Sequence, residues 1–168
     1  MDQIDTAMLV LRVWMGIVML AHGINHARTQ EGTARWFEKV GFKSPELNAR
    51  LSAGNEIAIG LALIAGLLTT IAAAGLVATM LVAFWAIHRF SGFFVFRRPN
   101  EGYEYVATMA VASLVLAILG PGAVSIDDVI GIADDLNGAL GAAIIGLGLL
   151  AGAGQLAVFW RKPAATAE

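Results

Sequence analysis

The sequence predicts an all-α membrane protein: a four-helix transmembrane bundle plus a fifth C-terminal transmembrane helix, N-terminus outside and C-terminus cytoplasmic. Three observations carry that expectation. The 168 residues are 58% hydrophobic and 14% charged, with mean hydropathy +0.72, more apolar surface than a soluble chain of this length hides. The apolar residues gather into runs close to the roughly 20 residues that cross a bilayer as helix. The basic residues, laid onto five spans, all fall on one side apart from a single arginine inside the first run.

The first run, Thr6 to Ala27, follows a start with Asp2 and Asp5 and no basic residue. A secretory signal would open on positive charge and carry a shorter apolar core, so the run is expected to stay as a span. Arg12 interrupts it within snorkelling reach of the near interface. Residues 28–50 are polar, with one short amphipathic helix that puts Trp36, Phe37 and Val40 on a shared face and stops at Gly41. Such a helix lies in the interface rather than crossing it. Ser44-Pro45 then reads as a helix start, Ser as N-cap and Pro in the first turn.

From Leu51 to Arg89 the chain is apolar for twice the length of one span, so it must turn back. Gly66 to Thr70 is the expected hairpin, giving spans near 51–68 and 71–90. The next loop, 89–102, holds Arg97, Arg98, Pro99 and a Phe-rich patch. A fourth span runs from Tyr103 to Leu119 and ends at Gly120-Pro121-Gly122. An acidic connector follows, then a fifth run, Gly138 to Trp160, whose Gly148 and Gly152 spacing suits close helix packing within the bundle or in a dimer. The organisation is thus a four-helix core over 1–128 and, over 129–168, the connector, the fifth helix and a short cytoplasmic tail.

Charge tests the count. With five spans, Arg28, Arg35, Lys39, Lys43, Arg50, Arg89, Arg97, Arg98, Arg161 and Lys162 share one side; the opposite side has no basic residue except Arg12, within the membrane. By the positive-inside rule these ten face the cytoplasm. Arg12 and Asp127 then lie at comparable depth on the outer side, where a salt bridge between them is expected.

The same topology sorts the polar residues. His22 and His26 lie one helical turn apart on one face of the first span, Glu56 is near the start of the second, His88 ends the third, and Tyr103 and Glu104 open the fourth. All should converge at the cytoplasmic end of the bundle. Histidines and carboxylates from several helices assemble metal sites in this way, although whether a metal binds is left open. They equally suit a proton relay or a quinone headgroup, whose carbonyls want donors and whose reduction takes up protons. His22 and Glu56, being deepest, are the candidate catalytic pair; His22, His26, Glu56, His88, Tyr103 and Glu104 are the candidate cofactor shell, with Asn25 and Asn55 beside them.

Several classes are excluded. The chain has no cysteine, which removes disulfides, thiolate metal sites and thiol catalysis. No P-loop, dinucleotide fingerprint or nucleophile elbow occurs. A net charge of −2 with no basic patch sets nucleic acid aside.

Leu9-Val10-Leu11-Arg12 with Gly16 and His22-Gly23, then Glu56 with Gly60 and the Gly66 turn, resemble the DoxX family of small bacterial membrane proteins. Gly102-Tyr103-Glu104, and Gly120-Pro121-Gly122 followed by Ser125 and Asp127, resemble its later motifs, so the resemblance spans about residues 6–128. The chain departs from the family pattern at His26, where a lysine is usual, at Thr70, where a basic residue is frequent, and in its fifth span. The resemblance implies a multi-pass protein of the bacterial inner membrane and a redox-associated role. Some relatives resemble subunits of thiosulfate:quinone oxidoreductase, and others belong with complexes that manage thiol or oxidative stress.

The function expected from both lines is a membrane subunit of a quinone-linked redox complex. Its charged 28–50 loop would dock a cytoplasmic partner. If it is enzymatic, it acts as an oxidoreductase subunit with partners. The rival expectations are a non-enzymatic scaffold that recruits soluble redox enzymes, and a permease for protons or small molecules.

Overall fold

A computed structural model describes residues 2–96 and 101–163. The described residues form seven α-helices and no strand: α1 (Gln3–Arg28), α2 (Gln30–Lys39), α3 (Pro45–Ala65), α4 (Thr69–Ala86), α5 (Glu104–Leu119), α6 (Ile126–Val129) and α7 (Gly138–Phe159). Among them α1, α4 and α7 are long and apolar enough to cross a membrane, and α5 is a shorter apolar helix. Arg97, Arg98 and Pro99 of the expected basic loop lie outside the described residues.

Helix ends follow local chemistry. Asp2 and Asp5 form a reciprocal capping box at the start of α1, the Asp2 carboxylate accepting from Asp5 N–H and the Asp5 carboxylate from Asp2 N–H. Gly66 closes α3 in the left-handed region at φ 67°, a conformation cheap only for glycine. The hairpin therefore falls where the sequence places it, but the helices around it run 45–65 and 69–86 rather than 51–68 and 71–90. Ser44 does not cap α3: its φ is 51° and its side chain makes no capping bond. Asn48 braces the turn before the helix instead of capping it, its amide donating to the carbonyls of Lys43 and Ser44 at 2.9 and 3.2 Å.

Close helix approach is built on small residues. α1 and α3 run antiparallel with Gly16 against Gly60 and Gly23 against Ile57; a Cβ at Gly60 would sit 2.7 Å from Leu20 N. The Gly148 and Gly152 face is used within the chain, packing on Ala74 and Ala78 of α4. Because 148 meets 74 and 152 meets 78, α4 and α7 run in the same direction. The main core lies between these helices, around Met15, Met19, Leu63, Leu76 and Leu116. Large apolar side chains also cover the outside, including Val10, Trp14, Leu147 and Leu150, as a bilayer environment requires.

Two contacts fix which residues share an end. The chain beyond α7 folds back onto the α2–α3 connection: Lys43 N–H donates to Phe159 O, Arg161 N–H to Gly41 O, and the Trp160 indole to Val40 O at 2.9 Å. At the opposite end the Asp5 carboxylate accepts from Ala123 N–H at 2.9 Å.

That opposite end corrects the expected Arg12–Asp127 salt bridge. Arg12, 1% exposed, donates instead to four carbonyls: Pro121, Leu63, Ile64 and Val124. Asp127 accepts from Leu68 N–H and Thr69 N–H at 2.7 and 2.9 Å, at the start of α4. The two charges are solvated by opposite helix ends of one hairpin: the cation by the carbonyl end of α3, the anion by the amide end of α4.

Candidate functional site

At the end where the C-termini of α1 and α4 meet the starts of α3 and α5, the bundle holds a partly open cavity of 250 Å³. Helical spacing brings Met19, His22 and His26 of α1 onto its wall (i, i+3, i+7), and Ser52 and Glu56 of α3 (i, i+4) face them. Helices α2, α4 and α5 add Phe37, Met80 and Tyr105, and His88 closes one side. All three histidines of the chain therefore line one space with Glu56, as the topology implied.

Glu56 is the centre. It is 5% exposed. Its Oε1 accepts from Ser52 Oγ at 2.6 Å, whereas its Oε2 is buried without a hydrogen-bond partner among the described residues. The nearest base to Oε2 is His26 Nε2 at 3.7 Å, within ion-pair range but longer than a hydrogen bond. The other nitrogen of His26, Nδ1, lies 3.3 Å from Thr33 Oγ1. His22 stacks on Tyr105 with ring centroids 6.1 Å apart and planes 22° apart, which bridges α1 to α5 across the cavity.

His88 does not end α4; it opens a single 3₁₀ turn, His88–Phe90, two residues beyond it. There its Nδ1 donates to Glu101 O at 2.8 Å. A carbonyl only accepts, so Nδ1 carries the proton and neutral His88 keeps Nε2 as an acceptor.

Tyr103 and Glu104 stand outside this wall. The Tyr103 ring packs edge-on against Phe84 and Phe93, and the Glu104 carboxylate accepts from Val95 N–H at 3.2 Å, holding the Phe-rich loop. Asn55 points elsewhere too, donating to Thr79 Oγ1 at 3.0 Å. Sequence reasoning missed Tyr105, Ser52 and Thr33. Tyr105 was findable: it stands four residues before the buried Met109, on the inward edge of a helix starting at Glu104. Ser52, one turn before Glu56, carried the same kind of signal. Thr33 carried none, because its position depends on the sharp turn between α1 and α2.

Among the described residues, no group of three His, Asp or Glu is arranged to hold a metal ion. The donors line a wall instead of converging on a point.

Residues 7–89 match the DoxX family model. Over this stretch the chain carries a DoxX domain. The match runs from the start of α1 past His88, so it includes Arg12, His22, His26, Glu56 and the Gly66 hairpin; the motifs from Gly102 onward, and Tyr105, lie beyond it. No curated protein and no solved structure matches the chain. The DoxX match and the apolar helices make it a multi-pass membrane protein.

Proposed function

We propose that this DoxX protein is the membrane subunit of a quinone-linked redox complex and that its cavity receives the quinone headgroup. It crosses the bacterial inner membrane five times, N-terminus outside. The parallel course of α4 and α7 supports five spans, since a third and a fifth crossing separated by one other must point alike. So does the gathering of Arg28, Arg35, Lys39, Lys43, Arg50, Arg89, Arg161 and Lys162 toward the cavity end.

The observation that carries the reading is the orphaned Oε2 of Glu56. A buried carboxyl oxygen without a partner costs about 1–3 kcal/mol or more, and here it fronts a cavity lined by three imidazoles and a phenol. The space is smaller than the roughly 300–1,000 Å³ of a drug-sized site, which suits a single-ring headgroup. The donor chemistry fits as well: Glu56, His22 and Tyr105 can each present a hydrogen to a carbonyl oxygen.

A bound quinone supplies a two-electron, two-proton couple. The chain's part is to bind and to manage protons. Ser52 fixes the Glu56 carboxyl by holding Oε1, leaving Oε2 free to give or take a proton. His22, braced on Tyr105, presents a second donor from across the cavity. With no cysteine, the chain offers no thiol for electron transfer, so electrons come from a protein partner. The charged surface of α2 at the cavity end is the proposed docking side.

Organic extraction of the protein purified in detergent tests this, with His22→Ala and Glu56→Gln in parallel. Stoichiometric quinone in the parent protein, lost in both variants, is the expected result. No quinone, with both variants folded and retaining their partners, refutes the site and leaves a scaffold. Solute flux through liposomes containing the protein alone would indicate the permease.

A further inference from the structure

We propose that His26, Thr33 and Thr29 form a proton path between the buried Glu56 carboxyl and the aqueous surface at the α1–α2 corner. It rests on the reading of Glu56 as the proton-holding group of the cavity, and it does not depend on what occupies that cavity.

The path is a run of contacts. Glu56 Oε2 faces His26 Nε2 at 3.7 Å, His26 Nδ1 faces Thr33 Oγ1 at 3.3 Å, and Thr33 Oγ1 faces Thr29 Oγ1 at 3.3 Å. Thr33 is 6% exposed, whereas Thr29, in the corner between the helices, is exposed. One end is therefore sealed in the bundle and the other meets water.

Counting hydrogens orients the chain. Thr29 Oγ1 donates its only proton to Asn25 O at 2.8 Å, since a carbonyl cannot donate. Its contact with Thr33 must then use the Thr33 proton, with Thr33 donating. Thr33 Oγ1 has no hydrogen left for His26, so His26 Nδ1 is the donor in that contact. Nδ1 thus carries a hydrogen, which leaves a neutral His26 with an unprotonated Nε2 facing Glu56 Oε2 and able to take a proton from the carboxyl. His26 is the one histidine with both nitrogens engaged on a route outward. Its neighbour His22 stacks on Tyr105, and His88 spends Nδ1 on the Glu101 carbonyl.

The transfer balances without a co-reactant. When Nε2 takes the Glu56 proton, Nδ1 releases its own to Thr33 Oγ1, Thr33 passes its proton to Thr29, and Thr29 gives one to water. Rotation of the two hydroxyls and of the His26 ring, which carries the Nε2 hydrogen to the Thr33 side, with reprotonation of Glu56 from the cavity, restores the donor pattern. The titratable groups facing Glu56 are His22 and His26 from α1, His88 beyond α4 and Tyr105 from α5; of these only His26 reaches the corner.

The test follows exchange of the Glu56–His26 proton with the protein in lipid nanodiscs, no quinone added, after rapid mixing into D₂O. Infrared bands of the pair are assigned with Glu56→Gln. Thr33→Val keeps the side-chain shape and removes the hydroxyl; exchange should slow about 100-fold, the lower end of what a positioned proton-transfer group contributes. Thr33→Ser should restore it, and His26→Gln should slow it as Thr33→Val does. Exchange at the parental rate in both Thr33→Val and His26→Gln overturns the path, because water would then reach Glu56 through the cavity mouth. Should Thr33→Val fail to fold, His26→Gln decides. A protein that extracts without quinone yet shows the Thr33 effect keeps the path and loses the quinone reading.

Discussion

Arg12 offers the sharpest test of how the bundle is held. Among the described residues its guanidinium has no carboxylate within ion-pair distance, and its charge is met by carbonyls: Pro121 at 3.1 Å, Leu63 at 2.9 Å, Ile64 at 2.8 Å, and Val124. Arg12→Met keeps the apolar stem and removes all of these donors. Leu63 O retains Gly66 N–H at 3.3 Å, but the carbonyls of Ile64, Pro121 and Val124 lose their partner where no water replaces it. At about 1–3 kcal/mol for each buried group left unpaired, discounted for relaxation of the 121–124 turn, the loss should be about 3–5 kcal/mol, the range for breaking a buried charged network. Lysine keeps the charge but not the planar fork; it can satisfy the adjacent Leu63 and Ile64 carbonyls and not the turn as well, so Arg12→Lys should lose about half as much. Reversible unfolding in mixed micelles, followed by circular dichroism against denaturing-detergent fraction, measures both. The reasoning fails if Arg12→Met lies within about 0.5 kcal/mol of the parent, the level expected of a surface change, or if Lys costs as much as Met.

Two further outcomes follow from neighbouring geometry. Asp127→Asn leaves one acceptor oxygen for two N–H groups, those of Leu68 and Thr69, and removes charge at the start of α4; unfolding in the same assay should show a loss of about 1–3 kcal/mol, and no loss would contradict the capping role. Gly60→Leu drives a side chain into Leu20 of α1, where even a Cβ sits 2.7 Å from backbone nitrogen. It should separate α1 from α3, read as a lower detergent melting temperature and as loss of any His22-dependent ligand binding, whereas Gly54→Leu, with open space at its Cβ, should change neither.

The helical fold and the shared end of the histidines and Glu56 were legible because both rest on span length and the side on which each run ends. Those are sums over many residues and tolerate local error. The errors came where one backbone turn decides. Ser44 looks like an N-cap, yet its φ of 51° turns its side chain out of capping position, and a left-handed serine is not signalled by residue type. His88 ends an apolar run in the sequence, but α4 ends at Ala86 and the following turn redirects the ring toward Glu101. Arg12 and Asp127 were placed at one depth correctly and paired wrongly. Opposite charges suggest a salt bridge, while the nearer partners are backbone groups freed by helix ends, which no side-chain pattern reveals. Tyr103 was expected where Tyr105 stands, and two residues at about 100° each put the two rings on nearly opposite faces.

The two polar ends of the bundle argue for function when set side by side. At the Arg12 end every charged atom is spent: the guanidinium on four carbonyls, both Asp127 oxygens on amides, and the orphan there is a neutral hydroxyl, Thr69 Oγ1. Such a cluster stabilises a hairpin and has no valence left for a ligand. At the cavity end, burial is comparable, 5% exposure for Glu56 against 4% for Asp127, yet a carboxyl oxygen goes unpaired beside an open volume. A chain that satisfies one buried carboxylate fully, through two amides of a helix start, has the means to satisfy the other. Leaving Glu56 Oε2 unpaired among three histidines is the less stable arrangement, and it is the arrangement that a group binding or exchanging protons requires.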